Sequence, residues 1–423
     1  MRLLVHKSSL GGSALIPASK SHTIRAVVIA SLADGQSTIR NPLDSLDTAA
    51  AINCCRAFGA TIEKGENLTV RGVGGNLRVP DNVIDVANSG TTFYFLLSTA
   101  ALLDGYTVVT GDEQIRRRPA QPLIASLNDL GAQVFSTRGG GLAPVVVRGP
   151  IKGGATTIEA LTSQWVSSIL ISAPLAPRDT ELRVTGLNER PYVQITLNWL
   201  ESQGIDLSHE NMETFHIKGG QAYHGYDAQV PGDFSSATFF LCAGALAGRS
   251  IELQGLDMND AQGDKAVVQM LKDMGATVDI RGNAIQIGKK DLNGIEIDMN
   301  ATPDALPAMS VIGCIADGTT RLVNVPQARV KETDRIAVMR EELTKMGARV
   351  EELPDGLVLH HSRLKGTKVN GHGDHRVVMA LAVAGLAAEG VTEIEGAEAM
   401  NITFPNFVRL MRSLGAQMEL KEM

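Results

Sequence analysis

Charged residues crowd the segment ARVKETDRIAVM, residues 328–339, at the point where apolar residues begin to recur at helical spacing. Lys331 and Arg335 lie at this predicted helix start, beside Glu332 and Asp334. Positive charge at a helix N-terminus is unfavourable because the helix dipole is positive there. A bound anion would neutralise it, and arginine can hold a phosphate or carboxylate through two parallel hydrogen bonds. The segment therefore predicts an anionic ligand.

The alternative is a solvated segment in which Glu332 and Asp334 simply pair with Lys331 and Arg335. For Asp334 we expect that pairing. Cations break the same helix rule elsewhere, since Lys20 and the nearby Arg25 flank one apolar segment and Arg376 opens another. If such apolar helices run parallel within a domain, their N-termini share a face, where free N–H groups and cations converge on an anionic ligand. The substrates should then be rich in negative charge.

An internal repeat of about seventy residues positions these helix starts. An amphipathic phrase that ends in glycine and precedes a β-like run recurs six times, with Gly59, Gly131, Gly204, Gly275, Gly347 and Gly415 as its glycines. Each glycine is expected to be the left-handed residue that ends a helix. A second, apolar segment recurs at the same interval, beginning near Ser21, Ser89, Ser163, Ser235, Asp304 and His375. A helix without a polar stripe should be enclosed by protein.

The repeats predict an α/β architecture whose apolar helices are enclosed by sheets. Two groups of three repeats, about 200 residues each, suit the size limit on a single hydrophobic core. The competing interpretation is a doubly wound fold, but its helices would carry a solvent face. Serine, threonine, asparagine and aspartate at the helix starts are, taken singly, best explained as N-caps.

Composition excludes several function classes. The formal net charge of −7 argues against broad nucleic-acid binding, and no apolar run reaches the ~18 residues of a membrane span. The cysteines show no disulfide or metal-binding spacing, which favours reduced thiols in a cytoplasmic protein. They are Cys54, Cys55, Cys242 and Cys314. We expect no nucleic-acid or membrane partner.

Nine motifs, in order and in phase with the repeat, give the chain a resemblance to the enolpyruvyl transferases, and among them to the branch that acts on shikimate 3-phosphate. They are SKSHTIR (19–25), NSGTT (88–92), RRPAQPL (117–123), TSQ (162–164), RPY (190–192), PD (303–304), RVKETDR (329–335), DHR (374–376) and TFPNF (403–407). The resemblance implies a two-domain inside-out α/β barrel of six βαβαββ-type repeats. Residues 1–18 and 230–423 would form one domain and residues 19–229 the other, with the active site in the cleft between them.

The implied reaction transfers enolpyruvyl from phosphoenolpyruvate to the 5-hydroxyl of shikimate 3-phosphate and releases phosphate, a step of aromatic amino acid biosynthesis. It would need no metal or organic cofactor, and we expect a monomer. The residues implied for shikimate 3-phosphate are Lys20, Ser21, Arg25, Thr162, Ser163, Gln164, Tyr192, Asp304, Gln327 and Lys331. Those implied for phosphoenolpyruvate are Lys20, Gly90, Arg118, Gln164, Glu332, Arg335 and Arg376.

Three of these residues would be catalytic. Asp304 would take the proton from the attacking hydroxyl, Glu332 would protonate the methylene carbon, and Lys20 would assist at the phosphate. Each such proton transfer contributes typically ~10²–10⁴-fold to the rate. Gly90 would leave room for the inhibitor glyphosate, so inhibition competitive with phosphoenolpyruvate is expected.

The chain departs from the family pattern at four positions, the mildest being Thr162, which replaces the first of the usual pair of serines before Gln164. Tyr94 and Ile402 stand where many members have cations, and Glu189 stands where a phosphate-binding serine is common. We expect Arg190 to take over the anion contact there. Two alternatives stay open: a UDP-N-acetylglucosamine enolpyruvyl transferase, and a non-catalytic anion-binding paralogue. The first is disfavoured because GDEQIRRRPAQP, residues 111–122, lacks the reactive cysteine of that branch.

Overall fold

The computed structural model describes residues 1–422. Within them the chain divides into two compact units. The inserted unit is Ala18–Val230, and the terminal unit combines Met1–Pro17 with the chain from Pro231 onward. No helix among the described residues has the length and apolar character that crossing a membrane requires.

Helices of two kinds alternate along the chain. The α-helices are α1 (Lys20–Leu32), α2 (Leu46–Ala57), α3 (Gly90–Ala100), α4 (Gln121–Asp129), α5 (Ser163–Ser172), α6 (Arg190–Ser202), α7 (Phe234–Ala247), α8 (Ala266–Asp273), α9 (Leu306–Ile315), α10 (Arg335–Lys345), α11 (His375–Ala387) and α12 (Phe407–Ser413). The odd-numbered helices are the apolar segments of the repeat, and beyond their first residues nearly every side chain in them is buried. The prediction of enclosed helices is confirmed, because a helix that is apolar on every face is stable only inside protein.

The strands form six four-stranded sheets among residues 1–422. They are β1 (Arg2–His6), β2 (Leu10–Leu15), β3 (Gln36–Arg40), β4 (Thr61–Lys64), β5 (Leu68–Arg71), β6 (Ile84–Asp85), β7 (Tyr106–Thr110), β8 (Gln133–Ser136), β9 (Val145–Arg148), β10 (Gly154–Glu159), β11 (Thr180–Thr185), β12 (Leu207–Glu210), β13 (Thr214–Ile217), β14 (Asp227–Gln229), β15 (Gly248–Gln254), β16 (Thr277–Arg281), β17 (Ala284–Gly288), β18 (Glu296–Asp298), β19 (Thr319–Val323), β20 (Arg349–Leu353), β21 (Gly356–His360), β22 (Lys368–Asn370), β23 (Val391–Glu395) and β24 (Gln417–Lys421).

Each sheet repeats one pattern: a parallel pair extended by antiparallel strands. In the inserted unit the strand orders are β14-β3-β5-β4, β6-β7-β9-β8 and β10-β11-β13-β12. In the terminal unit they are β16-β17-β15-β2, β18-β19-β21-β20 and β22-β23-β1-β24. Strand β1 lies between β23 and β24 and is antiparallel to both, so the first strand of the chain is built into the sheet of the last repeat.

Glycine ends each of the even-numbered helices as the repeat predicts. The six repeat glycines all have positive φ, between +69° at Gly204 and +116° at Gly59. Side chains strongly disfavour this left-handed region, whereas glycine enters it freely. Each glycine turns the chain out of the helix and into a strand, β4, β8, β12, β16, β20 or β24. The predicted helix ends are confirmed.

Candidate active site

Lys20 is the first residue of α1, and Ser19 caps the helix by accepting a hydrogen bond from the His22 N–H. The Lys20 Nζ lies 3.2 Å from Oδ2 of Asp47, a buried carboxylate in the first turn of α2. The cation at this helix start is therefore neutralised within the inserted unit. The role of Lys20 toward an anionic ligand stays a prediction.

Arg25 lies one turn further along α1 and is only 1% exposed. Its guanidinium donates to Thr196 Oγ1 at 2.8 Å and to the carbonyl oxygens of Tyr192 and Ser21, each at 3.0 Å. It also lies over the ring of Phe95. Burial lowers the pKa of Arg25 to about 10, opposed by the Tyr192 hydroxyl. Among the described residues its hydrogen bonds go to neutral oxygens alone, so its positive charge is available to an anion.

Gly90, the first residue of α3, lies directly against the Arg118 guanidinium. A Cβ at position 90 would collide with Nη1 of Arg118, which is itself 5% exposed. Glycine is thus the residue that admits this cation to the start of the helix. Four residues on, Tyr94 donates its hydroxyl to the carbonyl oxygen of Pro119 at 3.0 Å and so fixes the segment that carries Arg118. Tyr94 thus positions a cation of the predicted site.

The start of α5 is joined to α3 by a side-chain hydrogen bond. Thr162 is the N-cap of α5 and accepts from the Gln164 N–H at 3.4 Å. The Gln164 side chain donates Nε2–H to Thr91 Oγ1 at 2.9 Å. Together with the contacts of Arg25, this bond brings the predicted residues on α1, α3, α5 and α6 into one connected group within the inserted unit.

The carboxylate of Glu189 lies at the start of α5, although Glu189 itself immediately precedes α6 in the chain. Its Oε2 accepts hydrogen bonds from Ser163 Oγ at 2.7 Å, Thr162 Oγ1 at 3.2 Å and the Ser163 N–H at 3.3 Å, and the residue is 2% exposed. Arg190, expected to take over an anion contact here, instead donates to the Asn211 carbonyl oxygen at 2.7 Å.

In the terminal unit, Arg335 is held by three carboxylates. It is the first residue of α10, and it contacts Asp374 Oδ2 at 2.8 Å, Asp304 Oδ1 at 2.7 Å and Glu332 Oε2 at 2.6 Å. Burial alone would lower its pKa, but the three carboxylates outweigh burial and raise the pKa above the usual arginine value. These carboxylates neutralise Arg335 within the terminal unit, and its role toward an anionic substrate stays a prediction.

Asp304 is the residue on which two arginines converge. It lies in the 3-10 turn Pro303–Ala305 before α9, and while Oδ1 faces Arg335, its Oδ2 lies 2.9 Å from Nη2 of Arg376. Arg376 is the second residue of α11, whose N-cap is Asp374. The predicted residues from the starts of α9, α10 and α11 thus meet in one buried ion-pair network.

Two further predicted residues flank this network. Gln327 is buried and donates Nε2–H to the Asn300 carbonyl oxygen at 2.9 Å. Lys331 follows the 3-10 turn Pro326–Val330 and is partly buried. The expected pairing of Asp334 with Lys331 and Arg335 is wrong, since Asp334 caps α10 and pairs with Arg329 at 2.7 Å. Short side chains at helix starts are natural caps, which explains the difference.

Asp264 is a residue that the sequence interpretation missed. It is buried, and its carboxylate accepts a hydrogen bond from the Ser235 hydroxyl at the start of α7. Burial, reinforced by the nearby Asp304 carboxylate, raises the pKa of Asp264 to about 7, while Arg376 acts in the opposite direction. A buried carboxyl group whose pKa is raised by burial, beside a predicted catalytic base, is characteristic of functional sites. Its segment, NDAQGDK, carries no charge contrast that would single it out.

Potential metal ligands come together in one place among residues 1–422, at Glu341, Glu342 and His372. The Lys345 Nζ lies 2.8 Å from an oxygen of each glutamate. Since a lysine already supplies the positive charge, this group is an ion-pair network of α10 rather than a vacant cation site.

Comparison with known proteins gives one consistent family. EPSP synthase (3-phosphoshikimate 1-carboxyvinyltransferase) is the family that matches residues 5–411. The chain is 56% identical over 423 residues to the 3-phosphoshikimate 1-carboxyvinyltransferase of Acetivibrio thermocellus, covering 100% of both chains. It is 55% identical over 421 residues to the protein of the same name from Ruminiclostridium cellulolyticum, covering 99% of this chain and 100% of that one.

Solved structures agree on the fold. An EPSP synthase from Acinetobacter baumannii superposes with a TM-score of 0.83 at 27% identity, covering 100% of both chains. The enolpyruvyl transferase NikO from Streptomyces tendae has a TM-score of 0.80 at 19% identity, over 99% of this chain and 98% of that one, which supports the fold alone. The predicted α/β class with enclosed helices is confirmed.

Proposed function

This chain belongs to the EPSP synthase (3-phosphoshikimate 1-carboxyvinyltransferase) family, and from that premise we propose that it transfers the enolpyruvyl group of phosphoenolpyruvate to the 5-hydroxyl of shikimate 3-phosphate. The observation that carries the proposal is the full-length identity of 56% to a relative with this named activity. The proposal includes a cytoplasmic monomer that needs no metal or organic cofactor.

In this proposal the inserted unit holds the acceptor. Arg25 offers a buried positive charge whose described partners are neutral oxygens. Thr162, Ser163 and Gln164 present hydroxyl, amide and backbone N–H groups at the start of α5. Helix N-termini favour anions because unsatisfied N–H groups and the helix dipole both point at the ligand. These groups suit the phosphate and hydroxyls of shikimate 3-phosphate.

The terminal unit supplies the proton-transfer groups and the arginines for phosphoenolpyruvate. Oδ1 and Oδ2 of Asp304 are each paired with an arginine in this state. The carboxylate and phosphate of phosphoenolpyruvate compete with Asp304 for Arg335 and Arg376. Once the donor takes over these arginines, the Asp304 carboxylate is released from them and can take the proton of the acceptor hydroxyl.

Glu332 and Lys20 complete the proposed chemistry. The Glu332 carboxylate is 10% exposed and is held by Arg335. When substrate displaces that pairing, Glu332 would take up a proton and deliver it to the methylene carbon. As phosphate leaves, the resulting methyl group would lose a proton back to Glu332, which restores the carbon–carbon double bond. Lys20 would neutralise phosphate as the bond to it breaks. Because Lys20 belongs to the inserted unit and Glu332 to the terminal unit, the reaction requires residues of both.

Phosphate release tests this function. Purified protein mixed with phosphoenolpyruvate and shikimate 3-phosphate should release inorganic phosphate, whereas omission of either substrate should abolish the signal. Release with UDP-N-acetylglucosamine in place of shikimate 3-phosphate would assign the chain to the other branch. If no phosphate is released with either acceptor, the result favours a non-catalytic anion-binding protein. An EDTA-treated sample should keep its activity, and size-exclusion chromatography should show a monomer.

A further inference from the structure

A carboxylate of the protein itself occupies the helix start that the proposed function assigns to the acceptor phosphate. Three donors reach Glu189 Oε2: the Ser163 hydroxyl, the Ser163 N–H and the Thr162 hydroxyl. These are the donor types that bind phosphate at a helix N-terminus. Glu189 thus occupies this position in the manner of a bound anion.

Capping of α5 does not account for this carboxylate. Thr162 already caps the helix with its own hydroxyl, accepting from the Gln164 N–H. Glu189 arrives from a residue with left-handed backbone, φ 58° and ψ 40°, which is an unusual conformation for a non-glycine residue. A strained residue that delivers a buried charge to a helix already capped points to a role in ligand binding.

The neighbouring Arg190 makes contacts with Asn211 and Glu213. Arg190 extends to the Asn211 carbonyl oxygen, and its Nη2 lies 3.9 Å from Glu213, with its side chain 49% exposed. A phosphate that enters the start of α5 therefore meets a carboxylate on its own donors. A phosphate and a carboxylate that contact the same donors in a buried site repel each other strongly.

We propose that Glu189 is an internal anion that competes with the phosphate of the acceptor for the start of α5 and so sets the affinity for shikimate 3-phosphate. The proposal rests on the proposed function, because that function places the acceptor phosphate at Thr162 and Ser163. Binding of the acceptor displaces the Glu189 carboxylate from its three donors. The apparent affinity is lower than that of the empty helix start, because part of the binding free energy goes into this displacement.

Two variants separate charge from occupancy. Glu189→Ser removes both the charge and the competing side chain, and the dissociation constant for shikimate 3-phosphate, measured by calorimetric titration, should fall about tenfold or more. Glu189→Gln keeps the size and the hydrogen-bond acceptor but removes the charge, and a smaller fall is expected. Binding of shikimate, which lacks the phosphate, should change less than twofold in either variant, a selectivity that a merely structural role would not produce.

Glu201→Ser is the matched control. Glu201 is an exposed glutamate on the same helix, α6, and its removal changes the net charge equally. The dissociation constant of the Glu201→Ser variant for shikimate 3-phosphate should equal that of the wild type. Unchanged or weaker binding of shikimate 3-phosphate by Glu189→Ser, with an intact melting transition, overturns the proposal. A gain in Glu189→Ser without any gain in Glu189→Gln overturns its electrostatic basis.

Misfolding and failure of the proposed function give different results. Glu189→Gln retains the acceptor atom for all three donors, so it tests the proposal even if Glu189→Ser does not fold, and no gain in a folded Glu189→Gln then counts against it. If wild-type protein binds shikimate 3-phosphate but releases no phosphate from the substrate mixture, the proposed reaction fails while the competition is still measurable. If wild-type protein and both variants fail to bind shikimate 3-phosphate, the assigned acceptor itself is wrong.

Discussion

Arg335 and Asp374 form a two-point ion pair that also sets the start of a helix. The arginine Nε and Nη2 lie 2.8 Å and 3.3 Å from the two oxygens of Asp374, and the same carboxylate accepts the Arg376 N–H as the N-cap of α11. One buried aspartate therefore fixes the first residue of α10 relative to the first turn of α11. Two helix starts in the terminal unit depend on it.

Replacement of Asp374 should therefore destabilise the protein. Asp374→Ala leaves a buried arginine with one partner fewer and removes an N-cap, which together should lower the free energy of unfolding by about 3 kcal/mol or more. Urea denaturation measures the change. Asp334→Ala provides the comparison, because it removes the N-cap of α10 and a half-exposed ion pair with Arg329, and should lower the free energy by only about 1 kcal/mol. Equal losses in the two variants would contradict this ranking.

Asp304→Asn should separate catalysis from binding. Loss of the proposed base should lower kcat by about 10²–10⁴-fold. At the same time Arg335 and Arg376 lose a competing carboxylate, so the dissociation constant for phosphoenolpyruvate, measured by equilibrium titration, should fall severalfold. Asp291→Asn, an exposed aspartate of the same unit, should leave both quantities unchanged. Weaker phosphoenolpyruvate binding by Asp304→Asn would show that the resting ion pairs do not compete with the donor.

Gly90→Ala should displace Arg118. The added methyl group would overlap the guanidinium, so the arginine must move from the start of α3. We expect the KM for phosphoenolpyruvate to rise by about tenfold or more, since a charge-assisted contact is lost, with little change in the KM for shikimate 3-phosphate. Gly11→Ala is the control, because no atom lies within 4 Å of a Cβ at that position. A normal KM in Gly90→Ala would mean that Arg118 does not contact the donor.

Asp264 should make stability depend on pH. Its folded-state pKa of about 7 lies above the ordinary aspartate value, so between about pH 4 and pH 7 the folded protein holds a proton that the unfolded chain has released. The contribution of Asp264 to the free energy of unfolding therefore falls as pH rises through this window. Above the window that contribution no longer changes with pH. The groups that face it are Asp304, Asp233 and Arg376.

Asp264→Asn should remove this dependence. Relative to wild type, the variant should gain stability on going from pH 5 to pH 8, measured by urea denaturation at both values. Asp291→Asn should show a difference from wild type that does not vary with pH in this way. A constant difference between Asp264→Asn and wild type would indicate that Asp264 is ionised throughout the range.

Periodic features of the fold could be predicted from the sequence, because the same residue pattern recurs in each of the six repeats. Gly59 and its five counterparts mark helix ends, and the apolar odd-numbered helices mark the interior. The partners of the charged residues could not be predicted in the same way. Arg335 meets Asp304 and Asp374, which lie 31 and 39 residues away, and no local pattern links positions at such separations. Glu189 presents the same difficulty, because Thr162 and Ser163, which donate to it, lie 27 and 26 residues away in the sequence.

The pairing of β1 with β23 and β24 bears on how the molecule is made. The inserted unit is complete at Val230, so it can fold while the rest of the chain is still being synthesised. Residues 2–6 have no such opportunity, because their sheet partners include residues 417–421. The opening strand of the terminal unit therefore stays unpaired until residues 391–395 and 417–421 have been synthesised. A nascent chain halted before residue 391 would therefore present a bare strand edge to chaperones, beside an inserted unit already folded.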